Sequence, residues 1–231
     1  ADAERLSIDI PGVGPLVGTR LPADQRPAGA ARILGFGGNA WDADHLLLHL
    51  HALYPDRDIV TFHYRGYGPS AGRPSAQAIL ADAERIHDAV IAAPGGGRAV
   101  VVGLSLGAGP AAHLAGRRPV AGVILVTPFD SIEALAADLY PWLPVRLLLR
   151  HRMDVDAALA RSSAPVAIIA AERDDIVPPR RTEALRRASP DPVLDRVIPG
   201  VGHNDIYGSA DYVEAMREAL SRIENRDGPG P

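Results

Sequence analysis

Gly103-Leu104-Ser105-Leu106-Gly107 decides how this chain is read. It follows the apolar run Ala99-Val100-Val101-Val102 and precedes the small-residue run Ala108-Gly109-Pro110-Ala111-Ala112-His113-Leu114-Ala115. A buried strand, a tight turn with glycines around a serine, then a helix is the setting of a nucleophile elbow. Such a turn lifts the serine hydroxyl above the sheet. A side chain two residues to either side would collide with the neighbouring strand or helix, so glycine stands at both places. Two plainer readings compete: a glycine-rich turn without chemistry, and a membrane span, since residues 99–116 hold no Asp, Glu, Lys or Arg. The glycines, a proline and a histidine within that run argue against the span, as does its marginal length.

Partners for the serine lie downstream. The apolar run Val166-Ala167-Ile168-Ile169 leads into Ala170-Ala171-Glu172-Arg173-Asp174-Asp175, an acid just past a strand end. Val197-Ile198-Pro199-Gly200-Val201-Gly202-His203 sets a histidine in the loop after another short strand. A serine needs a base to take its proton, and the base needs an acid to fix its tautomer and balance its charge. Spacing leaves Asp174 and Asp175 both open as that acid, and Asp130, also past a strand end, stands in reserve. Upstream, Arg32-Ile33-Leu34 ends in Gly35-Phe36-Gly37-Gly38-Asn39-Ala40. Backbone N–H groups at such a turn can meet the negative charge that builds on a carbonyl oxygen during acyl transfer. This assigns the amides of Leu106, the residue after the serine, and Asn39 as oxyanion donors. No phosphate-binding glycine pattern is present.

The segments Phe36 to Ala40, Phe62-His63-Tyr64-Arg65-Gly66-Tyr67-Gly68-Pro69-Ser70-Ala71-Gly72, the elbow, Asp174-Asp175-Ile176-Val177-Pro178 and Gly202-His203-Asn204-Asp205 together resemble the compact α/β-hydrolases. The likeness is to the bud-emergence-type hydrolases and the depalmitoylating thioesterases. It implies a mainly parallel central sheet with helices on both faces and a short cap, and a triad of Ser105, His203 and Asp174. Such relatives carry His-Gly-Asn-Ala at the oxyanion loop, where this chain has Gly37-Gly38-Asn39-Ala40. Arg65 and Tyr67 fall near the active edge by the same analogy, with a structural loop role as the default.

Composition fits one α/β domain. The 231 residues suffice for a full core and are few for two domains. Apolar runs near 16–19, 33–35, 59–62, 99–102, 122–126, 166–170 and 194–198 read as strands, alternating with helical stretches at 42–53, 75–92, 105–115, 131–139, 180–188 and 211–223. The expected domain is 1–224, with 128–163 as a short cap insertion and 225–231 as a flexible tail. Trp41, Leu143 and Leu147 are candidate substrate-binding residues, with Leu148 on the same wall. A net charge of −4 argues against nucleic acid as a partner. All the basic side chains are arginine, and there is no cysteine, hence no disulfide or thiol chemistry. His45 and His49 stand i, i+4, but no third ligand accompanies them, so they read as solvated and no metal or cofactor is expected. The expected partner is a small acyl ester or thioester, and the expected state is a monomer without a membrane span in this chain. The expected location is cytoplasmic, with a secreted or anchored form as the alternative because the sequence starts at Ala1. The alternative functions are a serine peptidase or amidase, and a non-catalytic binding module.

Overall fold

The computed structural model of the protein describes residues 2–94, 97–140, 142, 153–189 and 191–226. The centre is an eight-stranded sheet: β1 (Glu4–Ile10), β2 (Gly14–Leu21), β3 (Arg32–Phe36), β4 (Ile59–Phe62), β5 (Ala99–Leu104), β6 (Gly122–Val126), β7 (Val166–Ala171) and β8 (Leu194–Ile198). Their spatial order is β1-β2-β4-β3-β5-β6-β7-β8. The β1–β2 and β2–β4 pairs are antiparallel and the rest parallel. Strands β3 to β7 are buried along their whole length. Apart from Arg32 of β3 and Thr61 of β4, their residues are apolar or glycine, so they read as near-continuous apolar runs rather than alternating ones.

Alternate residues of each strand feed two cores. Val100 and Val102 join Ile33, Ile124 and Ile169 on the face covered by α1 (Ala43–Leu53) and the last helix, Ala210–Arg226. Val101 joins Leu34, Val60 and Ile168 on the other face, under α2 (Ala76–Ala92) and α3 (Ala108–Ala115). Each fully buried Val, Leu or Ile contributes roughly 1.5–3 kcal/mol. Local chemistry marks the helix starts. Asp42 accepts from the amides of Asp44 and His45 ahead of α1, and Ser75 accepts from Ala78 ahead of α2.

The structure departs from the sequence reading at β1 and at the end of the last helix. An eighth strand, β1, precedes the first one expected. Its exposed and half-buried residues alternate along a sheet edge, so no apolar run marks it. The 128–163 segment holds α4 (Ile132–Leu139) and α5 (Val155–Leu159), and a bridge between Ser131 and Asp154 closes its base. The helix after β7 is α6 (Pro179–Ala188), and the final helix, α7 (Ala210–Arg226), runs into the stretch expected as tail. Leu143, Leu147 and Leu148 lie outside the described residues. Among the described residues no helix is long and apolar enough to cross a membrane.

Candidate active site

Register brings the functional loops together. Phe36, the last residue of β3, lies beside Gly103 of β5, and Ala171 of β7 lies beside Ile198 of β8. The loop after β3 therefore leaves the sheet next to the turn at Ser105, and the loops carrying Asp174 and His203 leave it as neighbours. All four leave from the carboxyl ends of the strands, where ligands bind in open α/β sheets.

The elbow is tight. Ser105 has φ +50°, a left-handed conformation that is costly for a residue with a Cβ. A Cβ on Gly103 would strike the Gly107 carbonyl, and one on Gly107 would strike the Phe36 carbonyl. The glycines therefore let strand, turn and β3 approach one another. Ser105 to Gly107 form a 3-10 turn that runs straight into α3, so the Leu106 amide belongs to a helix N-terminus, where N–H groups face outward.

His203 Nε2 lies 2.9 Å from Ser105 Oγ. Its Nδ1 lies 2.9 and 2.8 Å from the two carboxylate oxygens of Asp174. Asp174 Oδ1 also accepts from the amides of Ile176 and Val177, at 3.0 and 2.6 Å. Asp174 and His203 are both buried, whereas Asp175 is exposed. Asp130 is turned elsewhere, paired with Arg181 at 3.1 Å. Of the three carboxylates the sequence left open, Asp174 is the one brought to the histidine.

The loop from Gly37 to Ala40 packs on Ser105. A Cβ on Gly38 would lie 3.4 Å from Ser105 Cβ, and the Trp41 amide closes a turn onto the Gly38 carbonyl at 3.1 Å. Asn39 sits in that turn. Two tyrosines of the loop after β4 fasten it. Tyr64 donates from its hydroxyl to the Gly37 carbonyl at 2.7 Å, and Tyr67 donates to Asn39 Oδ1 at 2.7 Å. Sequence reasoning did not assign these roles, although the tyrosines lie in a segment that carried the resemblance. Arg65 points away and pairs with Asp82 of α2 at 2.8 Å, as its default structural reading expected.

A cleft of about 460 Å³ opens over Ser105 and His203, bordered by Asn39, Trp41, Ile176 and Tyr207. Its volume falls in the range of small-ligand sites. Burial pushes the Tyr207 hydroxyl up; a hydrogen bond with Thr127 opposes this, the charge of Asp174 adds to it, and the result is about 12. Tyr207 thus stays a neutral hydroxyl at the cleft wall. His45 is exposed, but His49 is not solvated as expected. It bonds to the Tyr212 hydroxyl at 2.9 Å within a cluster of Trp41, Tyr207 and Tyr212, and burial lowers its pKa. Among the described residues, the group with metal-ligand spacing is Asp42, Asp44 and His63, outside the Ser105–His203–Asp174 line.

Comparison with known proteins agrees with this architecture. Residues 33–153 match the family model described as alpha/beta hydrolase fold. Uncharacterized protein Rv2307c of Mycobacterium tuberculosis is 40% identical over 197 residues, covering 82% of this chain and 69% of that protein. Alpha/beta hydrolase domain-containing protein 17C of Xenopus tropicalis is 27% identical over 175 residues, 71% of this chain and 52% of that protein. The crystal structure of ATU1826, a putative alpha/beta hydrolase from Agrobacterium tumefaciens, superposes with a TM-score of 0.74. It shares 20% identity and covers 99% of this chain and 100% of that one.

Proposed function

From the premise that the chain belongs to the alpha/beta hydrolase fold family, we propose that it is a serine hydrolase cleaving carboxylic esters or thioesters. One observation carries the reading: the unbroken line from Ser105 through His203 to buried Asp174, with the serine on a strained elbow.

The chemistry follows from the geometry. His203 Nε2 takes the Ser105 proton as Oγ attacks the acyl carbonyl. Asp174 holds the Nδ1–H tautomer and balances the imidazolium. The amides of Leu106 and Asn39 receive the oxyanion, and His203 then protonates the departing alkoxide or thiolate. In the second half His203 takes a proton from water, the hydroxide attacks the acyl-enzyme, and Ser105 regains its proton. Esters and thioesters are favoured over amides because oxygen and sulfur leave more readily than nitrogen. The partner is a small molecule whose acyl group lies against Trp41.

The test is fluorophosphonate labelling with mass mapping of the adduct, together with p-nitrophenyl esters of graded acyl length and a matching thioester and anilide. A single adduct on Ser105 and turnover of short to medium esters are expected. Each methylene held in the cleft contributes only about 0.8 kcal/mol, and the gain stops once the chain leaves it. An unlabelled Ser105 in folded protein overturns the reading in favour of a binding module, and preferred anilide cleavage in favour of an amidase.

A further inference from the structure

His63, at the end of β4, lies between two carboxylates. Its Nδ1 is 3.7 Å from Asp42 Oδ2, and its Nε2 is 3.8 Å from Asp44 Oδ2. These distances are too long for hydrogen bonds. One ligand atom from each of the three residues nonetheless lies within 4.8 Å of the other two. His63 is 5% exposed, and its buried Nε2 has no hydrogen-bond partner. Leaving a buried polar nitrogen unsatisfied costs about 1–3 kcal/mol, and native structures seldom do so without a reason.

The carboxylates are held facing the ring. Asp42 Oδ1 is engaged by the Asp44 and His45 amides at the start of α1, while Oδ2 is the oxygen nearest His63. Asp44 Oδ1 accepts from the Thr19 hydroxyl at 2.6 Å, and both Asp44 oxygens accept from Arg5 at 2.9 Å, Oδ2 being the one nearest His63.

We infer that Asp42, Asp44 and His63 form a binding site for a divalent first-row transition ion of the zinc type. Two carboxylates and one neutral imidazole balance a charge of +2. An imidazole ligand selects such an ion over Mg²⁺ or Ca²⁺, which take oxygen. Zinc bonds of about 2.0–2.2 Å to nitrogen and oxygen hold ligand atoms roughly 3.5 Å apart. Only one ring nitrogen can bind the ion, and the three ligand atoms lie within 4.8 Å of one another, so the site closes by up to about an ångström on loading, with the 45% exposed Asp42 side chain moving most. Arg5 is the competitor for Asp44; its side chain is 58% exposed, so it can turn to water.

Asp42 and His63 line a cavity of about 240 Å³ with Trp41, Tyr64 and Tyr67. Water or an anionic group entering that cavity would complete the coordination. The cavity shares Asn39 to Asp42 with the cleft over Ser105, so the ion would sit beside that cleft. The inference does not depend on the proposed hydrolysis.

The test is titration of the chelator-treated full chain with ZnCl₂ and with MgCl₂ by calorimetry, with Co²⁺ absorption as a spectroscopic check. One equivalent of Zn²⁺ and no Mg²⁺ should bind. Asp42→Asn, which keeps an N-cap side chain, and His63→Gln should each weaken Zn²⁺ binding by more than about tenfold, the lower end of outer-ligand effects. Arg5→Gln should tighten it. His113→Gln, which alters the separate pair with Glu84, should leave it unchanged. If His63→Gln does not fold, the His63 ring resonances of the unaltered protein serve instead, and one equivalent of Zn²⁺ should shift them. Unshifted resonances, no Zn²⁺ binding, or equal affinity in the unaltered protein and Asp42→Asn overturn the site.

Discussion

The Arg173 amide donates to the Val201 carbonyl at 2.9 Å, and this backbone bond joins the loop of Asp174 to the loop of His203. It lies one residue before Asp174 and two before His203. Beside it, the Glu172 amide donates to the Ile198 carbonyl, and Glu172 Oε2 accepts from the Gly200 amide at 2.7 Å. The separation of carboxylate and imidazole is therefore set by main chain, with little freedom left to the side chains.

Asp174→Asn should lower kcat by about two to four orders of magnitude, the range expected when the imidazole loses the partner that fixes its tautomer. Asp175→Asn should cost less than threefold, because Asp175 is exposed and absent from the line through His203. Steady-state ester hydrolysis by the two variants checks this, and the reverse ranking would move the acid to Asp175.

Tyr64→Phe and Tyr67→Phe should each lower kcat about tenfold with little change in KM. They release the oxyanion loop without removing its amides, so the loss should be smaller than the 10²–10³ that follows removal of a direct donor. The pH profile should keep its midpoint, since the two phenols bond to Gly37 and Asn39 and not to His203. A rise in KM alone would make the tyrosines substrate contacts instead.

Gly107→Ala should destabilise the fold by about 1–3 kcal/mol, the usual cost of forcing atoms into packed space. Its new Cβ meets the Phe36 carbonyl, which belongs to a central strand and cannot move aside. Gly208→Ala, with open space around its Cβ position, is the control and should be near neutral. Urea denaturation distinguishes the two.

Acid should unfold the protein partly through Asp58. Burial acts to raise this carboxyl, but the Ala23 amide and the Arg20 and Arg26 guanidiniums outweigh it and hold the pKa below the ordinary 3.8. A folded value below the unfolded one means that Asp58 stabilises the fold above about pH 4. That contribution is lost as pH falls through the folded value. Fully buried Arg32 leans on the same carboxylate at 3.3 Å while donating to the carbonyls of Val90 in the last turn of α2 and Pro94 just past it. Asp58→Asn should therefore cost about 3 kcal/mol at neutral pH by leaving a buried arginine unpaired. It should also flatten the acid limb of the stability curve, read from melting temperatures between pH 3 and 7 in steps of about half a unit.

The sequence by itself determined the α/β architecture, the elbow and the order of the candidate site residues. The signals behind these are local. Fully buried parallel strands must be near-continuously apolar, a strained turn between strand and helix needs glycine at 103 and 107, and helix starts need acceptors such as Asp42 and Ser75. Every one of them is written within a dozen residues. Spacing left Asp174 and Asp175 open, and only the resemblance pointed to Asp174; tertiary structure brought Asp174 to His203, turned Asp130 toward Arg181, and drew His49 into an aromatic cluster. It also anchored the Gly37–Ala40 loop on Tyr64 and Tyr67 and set His63 between Asp42 and Asp44. Neighbouring positions such as 174 and 175 differ only in which way the loop turns them. That direction comes from the register of β7 against β8 and of β3 against β5, a property of strands far apart in the chain. An edge strand such as β1 escapes a sequence reading for the related reason that half its surface faces water, so burial does not dictate its residues.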